Sequence, residues 1–242
     1  TAYIKREDFD AAKLDTLIRE FPLETAITAS HTVVEGQDWN AEWEKNYFKP
    51  IVIGNECVIH SSFHTDIPSC TYDIVIDPKM AFGTGHHATT TLILRRLLTM
   101  DLTGLKVVDM GTGTGILAIL ADMRGAACID AVEIDEFACE NARENLQLNN
   151  TSHIHLHLGD ARTLVGIRDV DLFLANINRN IITADLPAYV DTLAPGAKMI
   201  LSGFYEEDVQ VIMNVARELG LQYVDHTVLD RWTSLLLTYP GA

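Results

Sequence analysis

No apolar run in this sequence is long enough to cross a bilayer. Its longest stretches, such as "ILAILA" at 116–121, fall far short of the roughly 20 residues a transmembrane helix needs. No secretory signal precedes the first element: the chain opens "TAYIKREDFD", without an initiating Met, and reads as a fragment or a trimmed chain. Cysteine is sparse. Cys57, Cys70, Cys128 and Cys139 form no CxxC pair, which argues against a disulfide framework and a zinc site and fits reduced thiols in the cytoplasm. Positive charge is scarce too, with 18 Lys and Arg against 34 Asp and Glu and a formal net charge of −16. Nonspecific nucleic-acid binding needs a basic footprint, so direct contact with nucleic acid is not expected. The acidity suits solubility first and a basic protein partner second. Internal repeats and low-complexity tracts are missing as well.

What is present is 48% apolar sequence in 242 residues, enough for one large domain or a medium one with a small partner. "DFDAAKLDTLIREF" (8–21) predicts a helix capped by Asp8, with Leu14, Leu17, Ile18 and Phe21 at helical spacing; "TAITASHTVVE" (25–35) predicts a strand. This segment reads as part of a small α+β domain, with residues 1–37 assigned to it and 38–50 forming a Trp-bearing connector. Strand candidates follow at 51–54, 57–63 and 72–78. From residue 87 strands alternate with helices up to a closing pair, 222–230 and 232–239. Alternation predicts a mostly parallel sheet covered on both faces, and the short link at the end predicts an antiparallel hairpin. Residues 51–242 are thus assigned to one α/β, Rossmann-like domain.

"VVDMGTGTGILAI" (107–119) places a glycine turn between a strand and a helix, where a ligand can approach exposed amides. Gly111, Gly113 and Gly115 give GxGxG, and Ile116 stands where a dinucleotide fingerprint has its third glycine. The spacing resembles the S-adenosylmethionine loop of class I methyltransferases, with Asp109 as the acid ending the preceding strand. Glu133, 22 residues past Gly111, ends the next strand and can accept ribose hydroxyls. Asp160 follows the third strand, in reach of an adenine amino group, and Asn176 ends the fourth.

A second glycine stretch, "DPKMAFGTGHHATTT" (77–91), closely resembles the "DPGMAFGTGTHPTT" signature of the PrmA family, methyltransferases of ribosomal protein eleven of the large subunit. The resemblance extends through "DWNAEW…FKP" (38–50), the GxGxG loop, "ANI" (175–177) and "RWTSLLL" (231–237). It implies a seven-stranded methyltransferase sheet with a small ferredoxin-like domain ahead of it, which the N-terminal segment is too short to complete. It also implies S-adenosylmethionine held by Thr90, Gly111, Glu133 and Asn176, with Phe82, Gly83, Thr84 and Gly85 lying over it. Methyl transfer to lysine side chains or the N-terminus of a basic ribosomal protein, by a cytoplasmic monomer without membrane contact, follows from the same resemblance. Departures from the family pattern are His86 for Thr, Ala88 for Pro, Lys79 for Gly, "GTGTG" for "GCGSG" and Glu133 for Asp; "ANINRN" for "ANILA" puts Asn178 and Arg179 at the acceptor mouth.

The sequence offers no dedicated base. Asn176 is the candidate catalytic residue, open between orienting the acceptor amine and contacting the cofactor. His86–His87 and the alternating His153, His155 and His157 raise a metal reading, but Ile154, Leu156 and Leu158 supply a buried face on that strand, so a structural or solvated role is expected. Three rivals remain. Another protein-lysine or glutamine methyltransferase is one, although "NINR" lacks the Asn-Pro-Pro-Tyr usual for glutamine. The others are an NAD-dependent oxidoreductase, disfavoured by Ile116, and a non-catalytic cofactor-binding module.

Overall fold

The computed structural model of the protein describes residues 9–21, 28–31, 49–77 and 87–241. The chain divides into two compact units, Thr1–Phe48 and Lys49–Ala242. In the first, α1 (Ala11–Arg19) is capped by Asp10, whose Oδ1 accepts the Ala12 and Lys13 amides at 2.9 and 3.2 Å. The expected cap at Asp8 is corrected to Asp10: the first helical residue is Ala11, and a capping carboxylate must sit directly before it. Phe21, expected on the apolar stripe, lies past the helix end and is exposed. The strand expected at 25–35 falls largely outside the described residues, and 28–31 form no strand. The expected connector helix also lies outside them, but for residues 49–50.

The second unit holds two sheets. The smaller has β1 (Ile51–Ile53), β2 (Cys57–His60) and β3 (Tyr72–Val75), antiparallel then parallel. The larger has seven strands: β4 (Lys106–Met110), β5 (Cys128–Glu133), β6 (Ile154–Leu158), β7 (Val170–Asn176), β8 (Leu193–Tyr205), β9 (Gln222–Leu229) and β10 (Trp232–Tyr239). Their order is β6-β5-β4-β7-β8-β10-β9, parallel as far as β8, with β10 antiparallel to both neighbours. Strand order reverses beside β4, so β4 and β7 part at their carboxyl ends and leave a crevice.

Five helices connect these strands: α2 (Ala88–Thr99), α3 (Ile116–Met123), α4 (Glu136–Leu148), α5 (Arg179–Val190) and α6 (Val209–Glu218). Central parallel strands are covered on both faces, so their residues are apolar in unbroken runs rather than alternately. Leu172 and Leu174 join the core with α2 and α3, while Phe173 between them joins the core with α5 and α6. Buried Ile116–Ala121 make α3 apolar all round, because the large sheet lies on one side and Ile53, Ile59 and Ile74 of the small sheet share its core on the other.

The edge strand β6 is less buried than its alternating pattern predicts. Ile154 and Leu156 are half-buried and Leu158 is 54% exposed, since only one neighbouring strand flanks it. His157 contacts the Asp130 carboxylate at 2.8 Å and His153 that of Asp122 at 2.9 Å. Among the described residues no three His, Cys, Asp or Glu side chains converge on a metal position, and no helix is long and apolar enough to cross a membrane. All four cysteines are free, and burial, then Cys70 and Asp73 nearby, pushes the Cys57 thiol up to about 12.

One side chain ties α2 to the closing hairpin. Arg96, with its side chain only 12% exposed, donates to the Ser234 hydroxyl at 3.0 Å and the Ser234 carbonyl at 3.1 Å and pairs with Asp225. Arg96→Met fills the same space but leaves these acceptors unmade. It is expected to cost about 1–3 kcal/mol, read as a lower denaturant midpoint at unchanged slope.

Candidate active site

The crevice at the carboxyl ends of β4, β5 and β7 opens into a cavity of about 1050 Å³. Its floor is the glycine turn. Gly111, Gly113 and Gly115 all take left-handed φ values, +73°, +57° and +87°, and Gly115 opens α3. The requirement is sharpest at Gly111, where a Cβ would stand 2.3 Å from Ile177 Cγ2.

Glu133 ends β5 and is nearly buried, yet it lines the cavity. Its Oε2 accepts the Gly113 amide at 2.9 Å, and its Oε1 accepts the Ile134 and Asp135 amides at 2.9 and 3.0 Å. A carboxylate accepts roughly four hydrogen bonds, so Oε2 keeps capacity for a ligand hydroxyl. Past it, Ile134 and Phe137 form an apolar rim, 71% and 80% exposed. Such a pairing of an acid with a flat apolar rim suits a nucleoside: the acid for the sugar and the rim for the base.

The opposite wall is Asn176, at the end of β7. Its Nδ2 donates to Thr90 Oγ1 in the first turn of α2 at 3.2 Å, while its Oδ1 is buried without a partner among the described residues. A buried amide oxygen left unmade is costly, and here it borders a cavity where a ligand donor can satisfy it. The following turn is fixed by Gly203 of β8 (φ +96°), where a Cβ would fall 2.3 Å from the Ile177 carbonyl oxygen. Asn178 caps α5 by accepting the Asn180 amide at 2.8 Å and also lines the cavity. Arg179 instead turns to Asp208 at 2.6 Å.

The structure therefore brings Thr90, Gly111, Gly113, Glu133 and Asn176 around one cavity. Asp109 does not reach its surface: wholly buried beneath the turn, it accepts the Thr112 hydroxyl at 2.6 Å. Desolvation pushes its carboxyl up to about 6. Asp160 is also not on the lining. It caps a short 3-10 turn, accepts the Arg162 amide at 2.9 Å and pairs with the Arg162 guanidinium, which holds its carboxyl below the usual range. Phe82, Gly83, Thr84, Gly85 and His86 lie outside the described residues.

Two residues of quoted motifs line the cavity in a way the motifs do not show. His87 caps α2 and packs edge-on against Trp232, with ring centroids 4.6 Å apart; Trp232 leans on Tyr205 at 4.4 Å. The sequence signal for Trp232 was its place in "RWTSLLL", which says nothing of the cavity.

Two substitutions probe this floor. Gly203→Ala forces a side chain into the Ile177 backbone at a left-handed φ and is expected to destabilise by more than about 2 kcal/mol in a denaturant titration. Asp109 has a folded-state value near 6 against 3.8 for an unperturbed carboxyl, so its contribution is most favourable below the unfolded value and is lost as pH rises through about 6. The Asp109→Asn variant does not titrate. The stability of the wild type relative to this variant is expected to fall by on the order of 3 kcal/mol between about pH 4 and about pH 8.

The family model described as ribosomal protein L11 methyltransferase (PrmA) matches residues 1–239. A Bacteroides thetaiotaomicron protein named ribosomal protein L11 methyltransferase is 49% identical over 240 residues, 99% of this chain and 86% of that protein. A Bacteroides fragilis protein of the same name is 48% identical over 236 residues, 97% and 84% of the two chains. Among solved structures, a ribosomal protein L11 methylase from Lactobacillus delbrueckii subsp. bulgaricus superposes with a TM-score of 0.72 at 26% identity, covering 80% of this chain and 100% of that one. A SAM-dependent O-methyltransferase from Thermotoga maritima, 15% identical with a TM-score of 0.52 over 61% of this chain and 64% of that one, shares the fold alone. Matched over nearly its whole length at almost half identity, the chain belongs to the ribosomal protein L11 methyltransferase (PrmA) family.

Proposed function

We propose that this chain transfers methyl groups from S-adenosylmethionine to amino groups, lysine side chains or the N-terminus, of ribosomal protein L11. Family membership supports the reaction. The observation that carries the site is the pairing, across one cavity, of Glu133 bound to the glycine turn with Asn176 and its unmade Oδ1.

The residues present fit the cofactor. Glu133 would hold the ribose hydroxyls, Gly111 and Gly113 would let the backbone approach, and Ile134 and Phe137 would cover the base. When bound, S-adenosylmethionine supplies a methyl group activated by a positive sulfur. The protein's part is to place the acceptor amine in line with it, since positioning dominates such a displacement. A free lysine has a pKa near ~10.4, so a proton must pass to water before its lone pair can react. Beside a positive sulfur the ammonium form of the acceptor would be disfavoured. Asn176 Oδ1 can then accept an amine N–H and aim the lone pair into the cavity. Asn178 and the Ile177 backbone, fixed against Gly203, would shape the acceptor mouth.

The reading gives residues 1–37 the selection of the protein substrate, because a cofactor crevice cannot by itself choose one basic protein among many. A net charge of −16 supports a basic partner and no direct contact with nucleic acid.

Incubation with labelled S-adenosylmethionine and ribosomal proteins, followed by mass spectrometry of the product, tests the function: label is expected on L11 amino groups. Transfer to glutamine, or cofactor binding without transfer, would reject it. Calorimetry with S-adenosylmethionine and with NAD separates the oxidoreductase class. Within the site, Glu133→Ala is expected to weaken S-adenosylmethionine binding by about 1.5–3 kcal/mol, and Glu133→Gln by less, since an amide oxygen can still accept. An unchanged dissociation constant in both variants would remove Glu133 from the site.

A further inference from the structure

The outer edge of β3 is covered by a helix acting as a strand. Among the described residues β3 is the last strand of the small sheet, and no strand pairs with the other side of its backbone. Asn141 and Asn145 of α4 and its cap residue Asn149 stand four apart and share one helix face. Asn149 Oδ1 accepts the Val75 amide at 2.9 Å and its Nδ2 donates to the Val75 carbonyl at 2.7 Å. Asn145 Oδ1 accepts the Asp77 amide at 3.0 Å, and Asn141 Nδ2 donates to the Asp77 carbonyl at 2.8 Å. Four helical residues rise about 6 Å and two extended residues about 6.6 Å, so the two repeats match. The ladder runs antiparallel: the chain advances from Val75 to Asp77 as the helix retreats from Asn149 to Asn141.

Asn145 makes a further bond. Fully buried and not part of the cavity lining, it donates from Nδ2 to the Thr114 carbonyl at 2.9 Å. Thr114 lies inside the glycine turn whose Gly113 amide binds Glu133. One planar amide thus fixes the turn and the chain leaving β3 at a set separation. Among side chains of this length only Asn both donates and accepts in that way: Asp cannot donate to a carbonyl when ionised, and Leu does neither.

We propose that Asn145 is a positioning residue of the cofactor site, which acts through the Thr114 carbonyl to hold the glycine turn in register with Val75–Asp77 and so couples ligand binding at the turn to order at the end of β3. The proposal rests on the reading of the cavity as an S-adenosylmethionine site.

The test is amide hydrogen exchange of the full chain with and without S-adenosylhomocysteine, joined to calorimetric binding of the same ligand. In the wild type, ligand is expected to slow exchange severalfold at Gly113 and also at Val75 and Asp77, which are not part of the cavity lining. In Asn145→Asp, binding is expected to weaken about tenfold or more, and at saturating ligand the slowing at Gly113 persists while that at Val75 and Asp77 is lost. Asn149→Ala breaks the Val75 bonds but not the Thr114 bond, and is expected to bind within about threefold of wild type. Protection of Gly113 with unchanged exchange at Val75 and Asp77 in the wild type would overturn the proposal, and that measurement needs no variant to fold. Wild-type affinity in Asn145→Asp would overturn it too. No binding at all by the wild type would instead reject the cofactor reading, and this proposal with it.

Discussion

Three strand ends meet at Ile177. Its side chain closes on Gly111 after β4, its backbone presses on Gly203 of β8, and its amide donates to the Ser202 carbonyl at 3.1 Å. Both glycines sit at left-handed φ, so the close approach and the backbone conformation exclude a side chain for separate reasons. This contact sets the distance between the glycine turn and the end of β7. The direction of Asn176 follows, because the residue before Ile177 is held between β7 hydrogen bonding and Thr90.

Electrostatics on that scaffold is arranged by hydrogen bonding to backbone amides. Glu133 remains at the cavity because three amides satisfy it there. Asp109, one strand away, is wholly buried with Thr112 as its short hydrogen bond, and desolvation outweighs that bond. Two acids in neighbouring strands thus have different places: one lines the cavity and the other braces the turn from below. The asparagine ladder applies the same economy with neutral groups, joining backbone segments far apart in the chain without burying charge.

Much of this was legible in the sequence. The alternation from residue 87 onward, the closing hairpin and the GxGxG turn are short-range signals, since strand and helix periods and glycine spacing act within a few residues. The parallel strands were readable as apolar runs for the same reason. Local competition was not legible. Asp160 sits at the expected strand end, yet a cap and Arg162 two residues away occupy its carboxylate. The helix cap moved from Asp8 to Asp10 because two candidate acids differ only in where the first helical turn closes. Tertiary structure alone decided that Trp232 would stand beside His87, that Ile177 would wedge against Gly203, and that three asparagines of one helix would replace a strand. These contacts join residues tens to more than a hundred positions apart, and their energy depends on ångström-scale fit, which periodicity and spacing do not encode.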